Sequence, residues 1–250
     1  MSRQPLSVAI ITRNAASQLA ACLESASFAD ETLVVDSGSD DGTAALAAGR
    51  GARVLQQAWL GFGRQKQFAV EAAALDWVLC LDADERVSEA LRASILAVLA
   101  VPAAPAFAMA RCNRFMGRWL KHGEGYPDWS LRLFDRRHAR WSDDPVHEKV
   151  LTGAPVARMK GDLLHESAET LDGYLDKQNR YTSTQAQALF DAGKRASVAQ
   201  LLLSPALRFV KFYFLRLGFL DGIPGLVHIV IGCCNSFHKY AKLMALQRGG

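Results

Sequence analysis

The chain has no Gly-x-Gly-x-x-Gly after its first apolar segment and no P-loop, which argues against a dinucleotide dehydrogenase and a P-loop enzyme. Its five cysteines, Cys22, Cys80, Cys112, Cys233 and Cys234, lack Cys-x-x-Cys spacing and sit mostly in apolar contexts. Neither a zinc site nor a disulfide framework is expected, and reduced thiols suit a cytoplasmic protein. The N-terminal segment is too soon interrupted by Thr12, Arg13 and Asn14 to read as a signal peptide. No uninterrupted apolar run reaches the roughly 18 to 20 residues of a membrane-spanning helix, and there is no internal repeat or low-complexity linker.

What is present is an ordinary globular composition: 250 residues, 50% hydrophobic and 22% charged, enough for one large α/β domain and an appendage. The formal charge of +4 does not by itself indicate nucleic acid, although basic residues crowd after residue 110.

The most informative stretch runs from Asp76 to Arg86. Residues 78–81 have the length and composition of a strand buried on both faces, so Asp82 and Asp84 fall where that strand leaves the sheet. That is the edge where open α/β sheets place ligands. Two carboxylates at i and i+2 can hold a hard divalent cation that keeps positions open for phosphate oxygens. An acidic loop capping the helix that starts near Ser88 is the competing reading.

In chain order, residues 6–11 read as a strand and 17–27 as a helix. Residues 32–35 form a second buried strand ending at Asp36, and the turn cluster Ser37-Gly38-Ser39-Asp40-Asp41-Gly42-Thr43 opens a helix to about Arg50. Residues 53–56 and a helix from Gly61 to about Ala74 follow. This alternation implies right-handed crossovers and a mainly parallel sheet. After a helix over 88–100 and a strand over 106–111 the pattern changes. Residues 113–147 are rich in Trp, Arg, His and Gly, with strand-like pieces at 129–134 and 139–141, and suit a substrate surface. Residues 159–165 return to the sheet, and 170–192 are helical. From Ser197 the chain turns apolar and basic: on a helix, Arg208, Lys211 and Arg216 share one broad sector, with Phe and Leu over the rest. The second apolar stretch, 226–234, is interrupted by His228 and Gly232.

Four pieces thus stand in a fixed order: Thr12-Arg13-Asn14, Asp36 with its Ser-Gly-Ser-Asp-Asp-Gly-Thr turn, Gly61-Phe62-Gly63-Arg64-Gln65-Lys66, and Asp82-Ala83-Asp84-Glu85. Together they resemble the inverting family 2 glycosyltransferases of GT-A fold. More narrowly, Tyr126-Pro127-Asp128-Trp129-Ser130-Leu131-Arg132-Leu133-Phe134 and Val146-His147-Glu148 are similar to lipopolysaccharide core β-glucosyltransferases of the WaaE type. The resemblance implies an α/β GT-A domain over residues 1–195, with a donor half to about 112 and an acceptor half to 195, followed by a helical amphipathic appendage over 196–250.

It also implies a metal-dependent hexosyltransferase that moves glucose from UDP-glucose to a lipid-linked saccharide of the lipopolysaccharide inner core. The alternatives are a family 2 enzyme for capsule or another glycolipid, or a nucleotide-sugar-binding membrane-surface protein without catalysis. Donor contacts are expected from Thr12, Asn14, Asp36, Lys66 and Asp82, and the Mg²⁺ or Mn²⁺ ligands are expected to be Asp84 and Asp82. Asp36 could instead cap its own turn, Thr12 and Asn14 could cap a helix, and Lys66 or Arg64 could sit on a solvated helix face. Inversion requires a base opposite the leaving UDP, for which Asp128 and then Glu148 are the candidates, with His147 orienting Glu148 or binding donor phosphate. A structural alternative pairs both carboxylates with Arg132, Arg136 or Arg137. No nucleic acid is expected as a partner. The tail is expected to attach peripherally to the inner face of the cytoplasmic membrane, or to pack on the core or form an oligomer.

Overall fold

The computed structural model describes residues 3–144, 148–167 and 170–249. The chain divides into two compact units, one made of Met1–Cys112 and Asp128–Glu166, the other of Asn113–Pro127 and Ser167–Gly250.

The first unit is built on β1 (Leu6–Thr12), α1 (Ala16–Ser25), β2 (Glu31–Asp36), α2 (Thr43–Gly49), β3 (Arg53–Gln56), α3 (Phe62–Ala72) and β4 (Trp77–Asp82). The strands lie in the order β3-β2-β1-β4, all parallel. Every residue of β1 is buried, as a strand covered on both faces requires. Alternation sorts its side chains: Leu6, Val8 and Ile10 pack in one core with α1 and α4 (Glu89–Ala100), whereas Ala9 and Ile11 pack in the other with α3.

Beyond β4 the sheet continues through β8 (Asp128–Asp135), β6 (Ala106–Phe115), β11 (Val156–His165) and β5 (Glu85–Val87), with β7 (Arg118–Trp119) paired to β6. Pairings β4–β8, β6–β8 and β11–β5 are antiparallel, so the parallel half meets a mixed half at β4. Strand β9 (Ala139–Trp141) does not pair with its neighbour β8. It forms a separate ribbon with β10 (Val150–Thr152), because β8 is taken into the main sheet.

The second unit holds α5 (Leu171–Asp191), α6 (Val198–Phe209) with a π-helical continuation (Val210–Leu215), a 3₁₀ turn (Gly218–Asp221) and α7 (Gly222–Gly249). His228 and Gly232 do not break α7. The His228 ring packs against Phe115 and Tyr174, and Gly232 leaves the space that the Glu124 carboxylate fills. The helices are therefore longer than the apolar runs suggested: Val198–Leu215 and Gly218–Arg248 each have the length and mean hydropathy to cross a bilayer.

Candidate active site

Strand register brings the motif residues together. Thr12 pairs with Asp36 across β1 and β2, and Ile11 pairs with Asp82 across β1 and β4, so three motif ends share one sheet edge. The Asp36 carboxylate is buried and accepts from the backbone N–H groups of Gly38 and Ser39 at 3.1 and 2.9 Å, and from the Ser39 hydroxyl. Asn14, in the left-handed region at φ 49°, joins the two loops: its N–H donates to Ser39 Oγ and its Oδ1 accepts from the Asp40 N–H. At the start of α1 the N–H groups of Ala15 and Ala16 donate to Thr43 Oγ1 and Asp41 Oδ2, at 2.9 and 3.0 Å, rather than to Thr12 or Asn14. Thr12 Oγ1 is left buried with no hydrogen-bond partner.

At the end of β4 a chain of alternating charge begins. Asp82 accepts from Lys66 Nζ at 3.1 Å and from Arg132 Nη2 at 2.9 Å. Lys66 also reaches Glu148 at 3.1 Å, and Arg132 also reaches Glu85 at 2.8 Å. Arg111 lies 3.9 Å from Glu85 and holds Asp128 through Nε and Nη2 at 2.9 and 2.7 Å. The order is Asp128, Arg111, Glu85, Arg132, Asp82, Lys66, Glu148, with opposite charges adjacent at every step. The indole of Trp141 covers both inner cations, 4.8 Å from Lys66 Nζ and 5.6 Å from the Arg132 guanidinium carbon.

Local backbone explains two members of this chain. In the β6–β8 pairing Phe107 faces Leu133 while Ala108 faces Leu131, so Arg132 is the extra residue of a β-bulge. Such a bulge re-aims a side chain, and here it admits a guanidinium into an apolar strand. Lys66 reaches inward because α3 begins tight against the β9 side: a Cβ on Gly63 would lie 2.1 Å from the Ser142 carbonyl oxygen.

Burial opposes ionisation of Asp82, but Arg132 and Lys66 outweigh it and hold its pKa below the carboxylate range. Burial also dominates at Glu85, where the Asp82 charge adds to it, and this carboxyl is pushed above its ordinary value. Arg132 stays charged, since the attraction of Glu85 and Asp82 exceeds its desolvation.

Asp84 stands apart from this chain. Register pairs His165 with Glu85, and the Glu166 N–H donates to the Asp84 carbonyl, so His165 Nε2 comes within 3.2 Å of Asp84 Oδ2. Among the described residues no three His, Cys, Asp or Glu side chains converge as a closed metal cage. One carboxylate and one imidazole do fit a cation that keeps most positions for substrate oxygens. Asp82 differs, because both its oxygens already face cations.

The pairing of Asp128 and Glu148 with Arg132, Arg136 or Arg137 is not found: their partners are Arg111 and Lys66, while Arg136 and Arg137 bind Asp76 and Asp135. His147 and Val146 lie outside the described residues. Arg64, 67% exposed, lies 3.8 Å from Asp143. Sequence reasoning missed Glu85, Arg111, Arg132 and His165 as site residues. The signal was a charge inside an apolar strand, as in Leu131-Arg132-Leu133-Phe134, and a histidine closing one.

A parallel half, joined at an acidic loop to a mixed half, is the architecture of a GT-A glycosyltransferase. The chain belongs to glycosyl transferase family 2, whose family model matches residues 7–160. It is 32% identical over 96% of its length to the lipopolysaccharide core biosynthesis glycosyltransferase LpsC of Rhizobium meliloti (strain 1021), covering 92% of that protein. It is 29% identical to the uncharacterized glycosyltransferase RP128 of Rickettsia prowazekii (strain Madrid E), over 97% of this chain and 87% of the other. Among solved structures, the mannosyltransferase PcManGT of Pyrobaculum calidifontis, in complex with GDP-Man and Mn²⁺, matches at TM-score 0.53 and 16% identity. It covers 99% of this chain and 87% of that one. Its identity is low enough that the likeness speaks for fold alone.

Proposed function

We propose that the protein is an inverting hexosyltransferase that moves glucose from UDP-glucose to a lipid-linked saccharide, the inner core of lipopolysaccharide. The observation that carries this reading is the shared edge of Thr12, Asp36 and Asp82, with a buried Thr12 hydroxyl that no protein group satisfies. A nucleoside edge would supply that partner. The likeness to LpsC over nearly the whole chain supports the acceptor class.

In this reading Thr12, Asn14 and Asp36 bind the nucleoside, with Asn14 fixing the two loops. Lys66 offsets diphosphate charge, and Asp82 holds Lys66 and Arg132 in place. Asp84, with His165, would hold a divalent cation, Mg²⁺ or Mn²⁺, and Asp82 would join only on releasing a cation of its own. Such a cation supplies charge neutralisation for the departing UDP.

Asp128 takes the proton of the acceptor hydroxyl as that oxygen bonds to the anomeric carbon and the bond to the diphosphate breaks. It is 41% exposed while Glu148 is 21% exposed, and a base that meets a bulky acceptor must be reachable. Arg111 orients Asp128 by a two-point grip. Residues 1–112 then serve mainly the donor. The protein works at the inner face of the cytoplasmic membrane, where a lipid-linked acceptor is presented. The test is acceptor-dependent UDP release from UDP-glucose with Mn²⁺ and core-truncated lipopolysaccharide. Donor binding without that release would sink the assignment.

A further inference from the structure

Helix α6 and its π-helical continuation are inside out. Leu202, Leu203, Leu207, Val210, Phe214 and Leu215 are exposed, from 48% at Val210 to 75% at Leu215, and no residue of Val198–Leu215 is buried. Two of its polar groups point the other way: Ser204 Oγ meets Ser236 Oγ of α7 at 2.7 Å, and Arg208 Nε donates to Glu124 at 3.0 Å. A helix on a water-soluble surface shows the opposite pattern.

The medium that covers this face is identified by charge. From Ser197 onward the basic residues are Arg208, Lys211, Arg216, Lys239, Lys242 and Arg248, and the acidic residue is Asp221, which is buried. This segment carries a formal +5, whereas the whole chain carries +4. All the positive excess therefore lies in the segment with the exposed apolar face. A second copy would set like charge against like across a two-fold interface. A bilayer-spanning α6 would place Arg208 and Lys211 near the middle of the hydrocarbon, where charges are costly. An anionic leaflet accepts both the apolar stripe and the basic rim.

We infer that the outward face of Val198–Leu215 is an in-plane docking surface for an anionic lipid bilayer. Leu207, Val210, Phe214 and Leu215 enter the interface while Lys211 and Arg216 meet the headgroups. This deepens the proposed function by naming where the protein would meet a lipid-linked acceptor, and it is tested without donor or acceptor. Full-length protein should co-sediment with phosphatidylglycerol vesicles at low salt and much less with phosphatidylcholine vesicles. The double variant Leu207→Gln/Phe214→Gln changes only exposed positions, so circular dichroism should match the parent while partitioning falls by roughly tenfold or more. Co-sedimentation with neither vesicle, or a discrete dimer that the double variant dissociates, would overturn the inference. Resistance to alkaline carbonate extraction would do the same, since a surface-bound helix is released and a spanning one is not.

Discussion

His165 Nε2 lies 3.2 Å from Asp84 Oδ2, brought there by the antiparallel register of β11 on β5. The two residues are 81 positions apart, and the sequence motif pointed to Asp84 but not to His165. If this pair holds the metal, Asp84→Asn should fold normally and lose at least about 10²-fold in kcat, the range expected when a charge-stabilising group is removed. His165→Gln should raise the Mn²⁺ concentration needed for half-maximal turnover. Metal-titrated rates check both, and full turnover of either variant in EDTA would remove the cation from the mechanism.

The base assignment separates cleanly by kinetics. Asp128→Asn should lower kcat by roughly 10²- to 10⁴-fold with UDP-glucose affinity unchanged. Glu148→Gln frees Lys66 of one partner and should alter donor affinity more than kcat. Single-turnover rates with donor Kd measured separately decide between them. The opposite pattern would move the base to Glu148.

Arg132 tests the alternating charge chain as a structural element. Arg132→Met leaves Asp82 without one cation and buried Glu85 facing Asp82, and removing one partner of a buried pair costs about 3–5 kcal/mol. Adding Glu85→Gln should recover part of that loss, because the uncompensated charge goes with it. Thermal or urea unfolding of the single and double variants is the measurement. A single variant as stable as the parent would show that the network contributes little.

His228 gives a pH prediction for the second unit. Burial lowers its pKa below the ordinary value, so the folded protein binds this proton less well than the unfolded chain does. Its contribution to stability is therefore complete above about pH 6.5 and is lost as pH falls through the lower folded value. His228→Gln should flatten the acid side of the stability profile in that window. Urea midpoints between neutral and mildly acidic pH would show it, and an unchanged slope would assign the acid sensitivity elsewhere.

Thiol chemistry offers a check on burial. Cys22, Cys80 and Cys112 are buried, and burial pushes Cys80 up to about 11 and Cys22 higher still. Native protein should label first at exposed Cys234, with these three reacting only on unfolding. Mass mapping after a timed exposure to an alkylating reagent reports the order.

Much of the parallel half was legible because its signals are local. An all-buried β1 reads as an apolar run, and Asp36 and Asp82 close their strands directly after such runs. The mixed half was harder because its pairings are distant. Nothing within residues 129–141 says that β8 will insert between β4 and β6 while β9 waits for β10. Arg132 entered only as a possible partner of Asp128 or Glu148, because simple strand alternation gives no sign of the bulge that turns it toward Asp82 and Glu85. Strand β5, only three residues long, is too short for any period to register, yet it sets His165 beside Asp84.

The second unit includes residues 113–127, and these return to Asp128 with no break. The segment is tied within that unit at several points: Asp221 accepts from the N–H groups of Lys121 and His122, Gly123 N–H donates to the Arg216 carbonyl, and Glu124 pairs with Arg208. The C-terminal helices are thus no detachable anchor. Cutting them away would strip residues 121–124, a few positions before β8, of these partners. Solubility is better sought by exchanging outward leucines and phenylalanines than by shortening the chain.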